Sequence, residues 1–132
     1  MKRILSALLL AGLFLWGASQ VLAYKPAVVF DMGGKFDKSF NEGIWNGLEK
    51  FRKETGIKYR EFEVTQEAQR EQFLRKLASR GSDPVIAVGF AQAAALTKVA
   101  KEFPKTRFSI IDMVVDLPNV QSITFNEHEG SF

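Results

Sequence analysis

Cysteine is absent from this sequence, and histidine occurs once, at position 128. Without a thiol there can be no disulfide, no thiolate metal site, no cysteine nucleophile and no lipid-bearing N-terminal cysteine. A single His128 near the chain end, with no recognisable partner pattern, gives little support to a histidine metal site or a Ser-His-Asp triad. A dominant charge sign is missing as well. The formal charge is +3, and setting aside Lys2 and Arg3, which belong to an N-terminal segment described below, leaves +1. The other basic residues alternate with acids, as in Glu49-Lys50, Lys53-Glu54, Arg60-Glu61 and Lys101-Glu102. That pattern describes solvated helix faces rather than a phosphate-binding stripe, so no nucleic-acid partner is expected despite a pI near 9.3. Gly33-Gly34 has neither the Lys-Ser/Thr ending of a P-loop nor the spacing of a dinucleotide fingerprint. No cofactor is therefore called for.

What is present suits one domain of ordinary composition, with 46% hydrophobic residues in 132. The chain opens with Lys2-Arg3, an apolar run from Ile4 to about Ala18, and Val21 and Ala23 at small-x-small spacing. This is the pattern of a secretory signal peptide over residues 1–23, cleaved after Ala23. The alternative is an uncleaved membrane anchor, since Ile4 to Ala23 is about long enough to span a bilayer. Gly12, Gly17, Ser19 and Gln20 weaken its outer half. The mature chain, residues 24–132, is expected to work outside the cytoplasm.

Its organising unit is a strand, a turn and a helix. Ala27 to Phe30 is a continuous apolar run, as in a strand buried on both faces of a parallel sheet, and Gly33-Gly34 ends it with φ > 0 at one glycine. From Lys38 to Thr55, Phe40, Ile44, Leu48 and Phe51, with Trp45 beside them, fall on one helical face. Ser39 is the expected N-cap, Glu42 completes a capping-box pattern, and Gly56 is the expected C-terminal stop. A second strand is expected over Lys58 to Val64, charged enough for a sheet edge. Thr65 then caps a helix over Gln66 to Arg80 with Phe73, Leu74 and Leu77 as its core face. Val85 to Val88 reads as a third strand, Ala91 to Phe103 as a helix closed by Pro104, Phe108 to Ile111 as a fourth strand and Val120 to Phe125 as a fifth. Asn126 to Phe132 reads as the approach to another helix. This alternation predicts an α/β doubly wound parallel sheet with helices on both faces.

A parallel sheet brings the carboxyl ends of its strands to one edge, where ligands bind in open α/β proteins. Here those ends deliver Asp31, Gly89-Phe90 and Asp112, with Phe40 and Asn41 at the start of the first helix. Asp31 and Asp112 could equally be turn residues and Phe40 a core residue. Together they describe a polar and aromatic small-molecule site. Asp31 and Asp37 could pair on a metal ion or act as acids, but nothing else in the chain completes such chemistry, so no metal site and no enzyme are expected.

Val29-Phe30-Asp31-Met32-Gly33-Gly34, Asp37-Lys38-Ser39-Phe40-Asn41 and Trp45 together resemble the opening motif of the basic membrane protein (BMP) family. Those are substrate-binding proteins of ABC transporters and include purine nucleoside receptors. The likeness continues through Val88-Gly89-Phe90, Lys98-Val99-Ala100, Phe103-Pro104, Phe108 to Asp112 and Glu127 to Phe132, and so covers essentially all of the mature chain. The resemblance implies a type I periplasmic-binding-protein-like fold, of which residues 24–132 would form part of the first lobe. It also implies a nucleoside-like ligand bound between two lobes, delivered to ABC permease subunits. The ligand-binding residues it implies are Asp31, Ser39, Phe40, Asn41 and Asp112, with Phe90 on the same rim. Membrane contact would come only through transporter docking or an uncleaved signal segment. A ligand-sensing ectodomain with a signalling partner is the alternative function. Two departures stand out. Family members usually carry a cysteine after the signal segment, where this chain has Ala23-Tyr24, which implies a soluble periplasmic or extracytoplasmic form. The family also continues beyond Gly130-Ser131-Phe132 into a second lobe.

Overall fold

A computed structural model describes residues 24–130. The signal-segment reading and the last two residues lie outside the described residues. Among the described residues, no helix is long and apolar enough to cross a membrane.

Four-residue strands rich in Val, Ile, Ala and Phe form the centre of the molecule. They are β1 (Ala27–Phe30), β2 (Arg60–Glu63), β3 (Val85–Val88), β4 (Phe108–Ile111) and β5 (Val120–Ile123). All pair in parallel, in the order β2-β1-β3-β4-β5. The order reverses between β1 and β3. The chain leaves β1 toward β2 on one side, and leaves β3 toward β4 on the other. Right-handed crossovers running in opposite directions must lie on opposite faces of the sheet. The packing agrees with that rule. Val28, Phe30, Val88 and Ile111 form one cluster with Phe40, Ile44, Trp45 and Leu48 of α1 (Phe40–Thr55). Val29, Ala87 and Ile110, the alternate residues of the same strands, pack on the other face. There they meet Leu74 and Leu77 of α2 (Ala68–Ser79) and Leu96 and Val99 of α3 (Ala93–Glu102). Each fully buried side chain of this size contributes about 1.5–3 kcal/mol of transfer free energy, which sets the alternation and hence the register.

β2 is an edge strand, as its charges imply. Phe62 is its one apolar residue, stacked on Phe73 of α2 with ring centroids 4.7 Å apart. Gly56 ends α1 in the left-handed conformation, its N–H donating to the Arg52 carbonyl.

Three helix starts differ from the sequence reading, two because a different side chain does the capping and one because a tighter turn precedes the helix. Ser39 precedes α1 but its hydroxyl makes no cap bond. Asp37 takes that role, as described below, and Glu42 accepts from the Lys38 N–H instead of closing a box on Ser39. α2 begins at Ala68 rather than Gln66. Gln69 reaches back so that its Oε1 accepts from the N–H groups of Thr65 and Gln66 and from the Thr65 hydroxyl. α3 begins at Ala93, because Phe90–Gln92 forms a tighter 3-10 turn. A further 3-10 turn, Glu127–Glu129, lies within the stretch read as the approach to another helix.

Candidate functional site

The ends of β1, β3 and β4 converge as a parallel sheet requires. Between them lies a cleft of about 390 Å³ lined by Asp31, Met32, Asp37, Phe40, Asn41, Gly89, Phe90 and Asp112. It sits at the β1/β3 switch point, where neighbouring crossovers diverge and leave a crevice. Five of the six residues singled out in the sequence line it. Ser39 does not; it is exposed and serves only as the residue before α1. A larger groove of about 900 Å³ runs between α2 and α3. Much of its charge is paired: Arg75 bonds Glu71 and Glu102, Lys98 bonds Glu71, and Arg70 bonds Asp31. Lys98 and Arg75 hold the Glu71 carboxyl below its ordinary range. The smaller cleft is the better candidate, because its Asp31 Oδ2 and Asp112 carboxylate have no hydrogen-bond partner among the described residues.

The loop between β1 and α1 is built on Asp37. Its Oδ1 accepts from the N–H groups of Ser39 and Glu42, and its Oδ2 from that of Asn41. First-turn N–H groups have no intrahelical partner, so one carboxylate here satisfies several at once. Burial raises the Asp37 carboxyl, but the N–H groups of Asn41, Glu42 and Ser39 outweigh it and hold the pKa below the ordinary value. Both oxygens are occupied, which explains Asp37 without a metal ion or acid chemistry. Asn41 is 2% exposed, and its amide donates to the carbonyls of Asp31 (3.2 Å) and Gly34 (3.1 Å). It therefore locks the loop from inside, while its Oδ1 is buried with no partner among the described residues. Both Gly33 and Gly34 have positive φ, where one such glycine was expected. A Cβ at Gly34 would lie 2.7 Å from Glu63 Oε2, an oxygen that accepts from the Lys35 N–H. Lys35 Nζ pairs with Glu61, whose hydrogen bond raises the lysine pKa, so β2 anchors the loop at two points.

Asp31 is held from the opposite face. Its Oδ1 accepts from Met32 N–H at 2.8 Å and from Arg70 Nη2 and Nε at 2.9 and 3.2 Å. Arg70 lies in the first turn of α2 and is 8% exposed. Oδ2 makes no hydrogen bond to any described residue and faces Gly89, where a Cβ would come within 3.1 Å of it. Gly89 also has φ +96, so glycine serves both the backbone and the close approach.

Gln92 ties the strand ends together. It is fully buried, and its Nε2 donates to the carbonyls of Val29 (2.7 Å) and Val88 (2.9 Å), bridging β1 and β3. Asp112 has φ +71, an uncommon conformation for a residue with a Cβ, and its N–H donates to the Ile123 carbonyl. Its carboxylate bonds to no described residue. Phe90 is 67% exposed, whereas Phe40 is half-buried, packing on the α1 core and edge-on against Phe125 at 6.5 Å. The cleft therefore offers two carboxylate acceptors, the Asp112 side chain and Asp31 Oδ2, beside aromatic rings.

Arg70, Gln92 and the capping role of Asp37 escaped the sequence reading. A signal for the first two was present. Arg70, Leu74 and Leu77 follow four-three spacing, as do Gln92, Leu96 and Val99, so each is a polar residue on an apolar helix stripe.

Comparison with known proteins agrees with this architecture. Residues 24–132 match the family described as ABC transporter substrate-binding protein PnrA-like. The CD4+ T-cell-stimulating antigen of Listeria monocytogenes is 33% identical over 115 residues, covering 83% of this chain and 32% of the relative. The ABC transporter nucleoside-binding protein BmpA of Lactococcus lactis is 32% identical over 113 residues, covering 82% and 32%. A solute-binding protein of an ABC transporter system from Aeropyrum pernix superposes with a TM-score of 0.75 at 30% identity, covering 80% of this chain and 30% of that one. The chain thus spans about a third of the length of these relatives. Its fold is the α/β fold of periplasmic solute-binding proteins, and it belongs to the PnrA-like (Bmp) family of ABC transporter substrate-binding proteins.

Proposed function

We propose that the protein, at its full encoded length, is an extracytoplasmic receptor that captures a purine nucleoside or similar small ligand for an ABC importer. One observation carries the reading. At the β1/β3 switch point, two carboxylate acceptors, Asp31 Oδ2 and Asp112, stand beside the exposed Phe90 ring in a cleft with no unpaired cation among its lining residues. A base can stack on an aromatic face, and ribose hydroxyls or a base amino group can donate to the carboxylates. Phe40 adds apolar surface, and Asn41 fixes the loop that presents Asp31. Met32, Phe36, Phe90, Met113 and Val114, all near the ends of β1, β3 and β4, are exposed apolar side chains. A rim of that kind suits a cleft closed by an opposing wall, as in hinge-bending receptors. The relatives' greater length leaves room for a second lobe. The work is binding and delivery to permease subunits, with no catalytic step.

Isothermal titration of the full-length protein with adenosine, guanosine, inosine, cytidine and uridine tests the reading. Saturable heat with at least one purine nucleoside is expected. Heat with none of them removes the nucleoside assignment.

A further inference from the structure

We infer that Arg70 is a positioning residue for the cleft: it fixes the Asp31 carboxylate so that one oxygen, Oδ2, is offered to the ligand. The inference rests on the nucleoside-receptor reading and names a residue that reading does not contain. Two donors of the guanidinium converge on the same oxygen, Oδ1, and the Met32 N–H joins them there. Two donors held rigidly in one guanidinium plane locate that oxygen more tightly than a rotating lysine ammonium does, and the Met32 N–H limits the carboxylate's rotation. The pairing joins residues 39 positions apart, on β1's end and on α2. The Arg70 side chain is 10% exposed and that of Asp31 20%, so the pair is shielded from solvent on the sheet side. Glu67, the other acid beside Arg70, lies 3.7 Å away and is 84% exposed, so it screens the pair weakly.

The arrangement has a chemical consequence for the cleft. Asp31 would rotate or draw in water if its carboxylate were free. With Oδ1 occupied by three donors, the remaining oxygen lies against Gly89 and toward the cleft. The arginine also cancels the carboxylate's charge from behind without exposing a cation to the ligand. The cleft can then receive a neutral hydrogen-bond donor, such as a hydroxyl or amino group, and offers no charge to attract a phosphate. Pre-orienting the acceptor in this way removes an ordering cost from binding.

The test is a double-substitution cycle on the full-length protein. Nucleoside affinity is read by titration calorimetry and folding by circular dichroism and thermal melting. Arg70→Met should weaken purine-nucleoside binding at least about tenfold, the scale of one charge-assisted hydrogen bond. Asp31→Asn should do the same. The Asp31→Asn/Arg70→Met variant should be no weaker than Asp31→Asn alone, because Arg70 acts through Asp31. Arg70→Lys keeps the charge but not the fork, and should bind between the wild type and Arg70→Met; it serves also if Arg70→Met fails to fold. Multiplying losses in the double variant, or wild-type affinity in folded Arg70→Met, would overturn the positioning role while leaving the receptor reading intact. If the wild type itself binds none of the nucleosides, the receptor reading fails first and the positioning role falls with it.

Discussion

Replacing Gln92 with methionine should cost the fold about 2 kcal/mol, although Gln92 is not among the residues lining the cleft and only closes the short 3-10 turn before α3. Methionine has nearly the same length and volume, so cavity and overpacking costs stay small. What changes is polar. Gln92 is fully buried, and its Nε2 supplies hydrogen bonds of 2.7 and 2.9 Å to the Val29 and Val88 carbonyls. Losing a buried partner costs about 1–3 kcal/mol per carbonyl left wanting. The substitution also removes Gln92 Oε1, a buried oxygen without a partner among the described residues, which offsets about one such unit. The balance is about 2 kcal/mol, or roughly 10 °C in melting temperature for a domain near this size. Urea unfolding gives the free energy, with Gln72→Met on the exposed face of α2 as control. Amide exchange at Gly89, whose N–H donates to the Ile111 carbonyl, gives the local effect. Gly89 should exchange faster in Gln92→Met than in the control. A loss below about 0.5 kcal/mol with unchanged Gly89 exchange would refute the idea that Gln92 clamps the β1 and β3 ends, since such a value is ordinary for a surface change.

Two further predictions concern α1. Asp37→Ala should lower the unfolding midpoint clearly while Ser39→Ala leaves it nearly unchanged, because three N–H groups depend on Asp37 and the Ser39 hydroxyl caps nothing; the reverse order in denaturant titrations would reinstate Ser39 as the cap. Glu49 is lowered to about 2 from 4.5 by hydrogen bonds from Arg52 and Tyr59, so its stabilisation is complete above about pH 4.5 and fades as pH falls toward 2. Glu49→Gln should therefore reduce stability at neutral pH and flatten the acid limb of the stability curve in that window, and parallel curves for variant and wild type would count against the assignment.

The sheet was legible because burial writes itself into short apolar runs, and the β1, β3 and β4 bounds fall where Ala27-Phe30, Val85-Val88 and Phe108-Ile111 place them. Helix starts were less legible because several polar residues near each start could cap, and only geometry chooses among them. Asp37 lies two residues before the nominal cap, and Gln69 lies inside the helix whose start it caps. The cleft was legible through its strand ends, since topology alone gathers Asp31, Gly89-Phe90 and Asp112. Its support was not, for a reason that is itself informative. Arg70, Gln92 and Asn41 each occupy a helix position that periodicity assigns to the apolar face, and all are buried. A polar group there carries a desolvation cost unless something meets it. Arg70 meets Asp31, Gln92 meets two strand carbonyls, and Asn41 meets two loop carbonyls. All three sets of partners lie at or beside the C-terminal ends of β1 and β3. The exceptions to amphipathic patterning in α1, α2 and the turn leading into α3 thus converge on one place. That place holds the Asp31 carboxylate, whose Oδ2 faces Gly89 and has no hydrogen-bond partner among the described residues. In this chain a polar residue on an apolar stripe is therefore the sequence mark of the support of the candidate cleft. Aligned along the helices, these three positions would point to the β1/β3 crevice even if the Asp31 to Asn41 motif were unreadable.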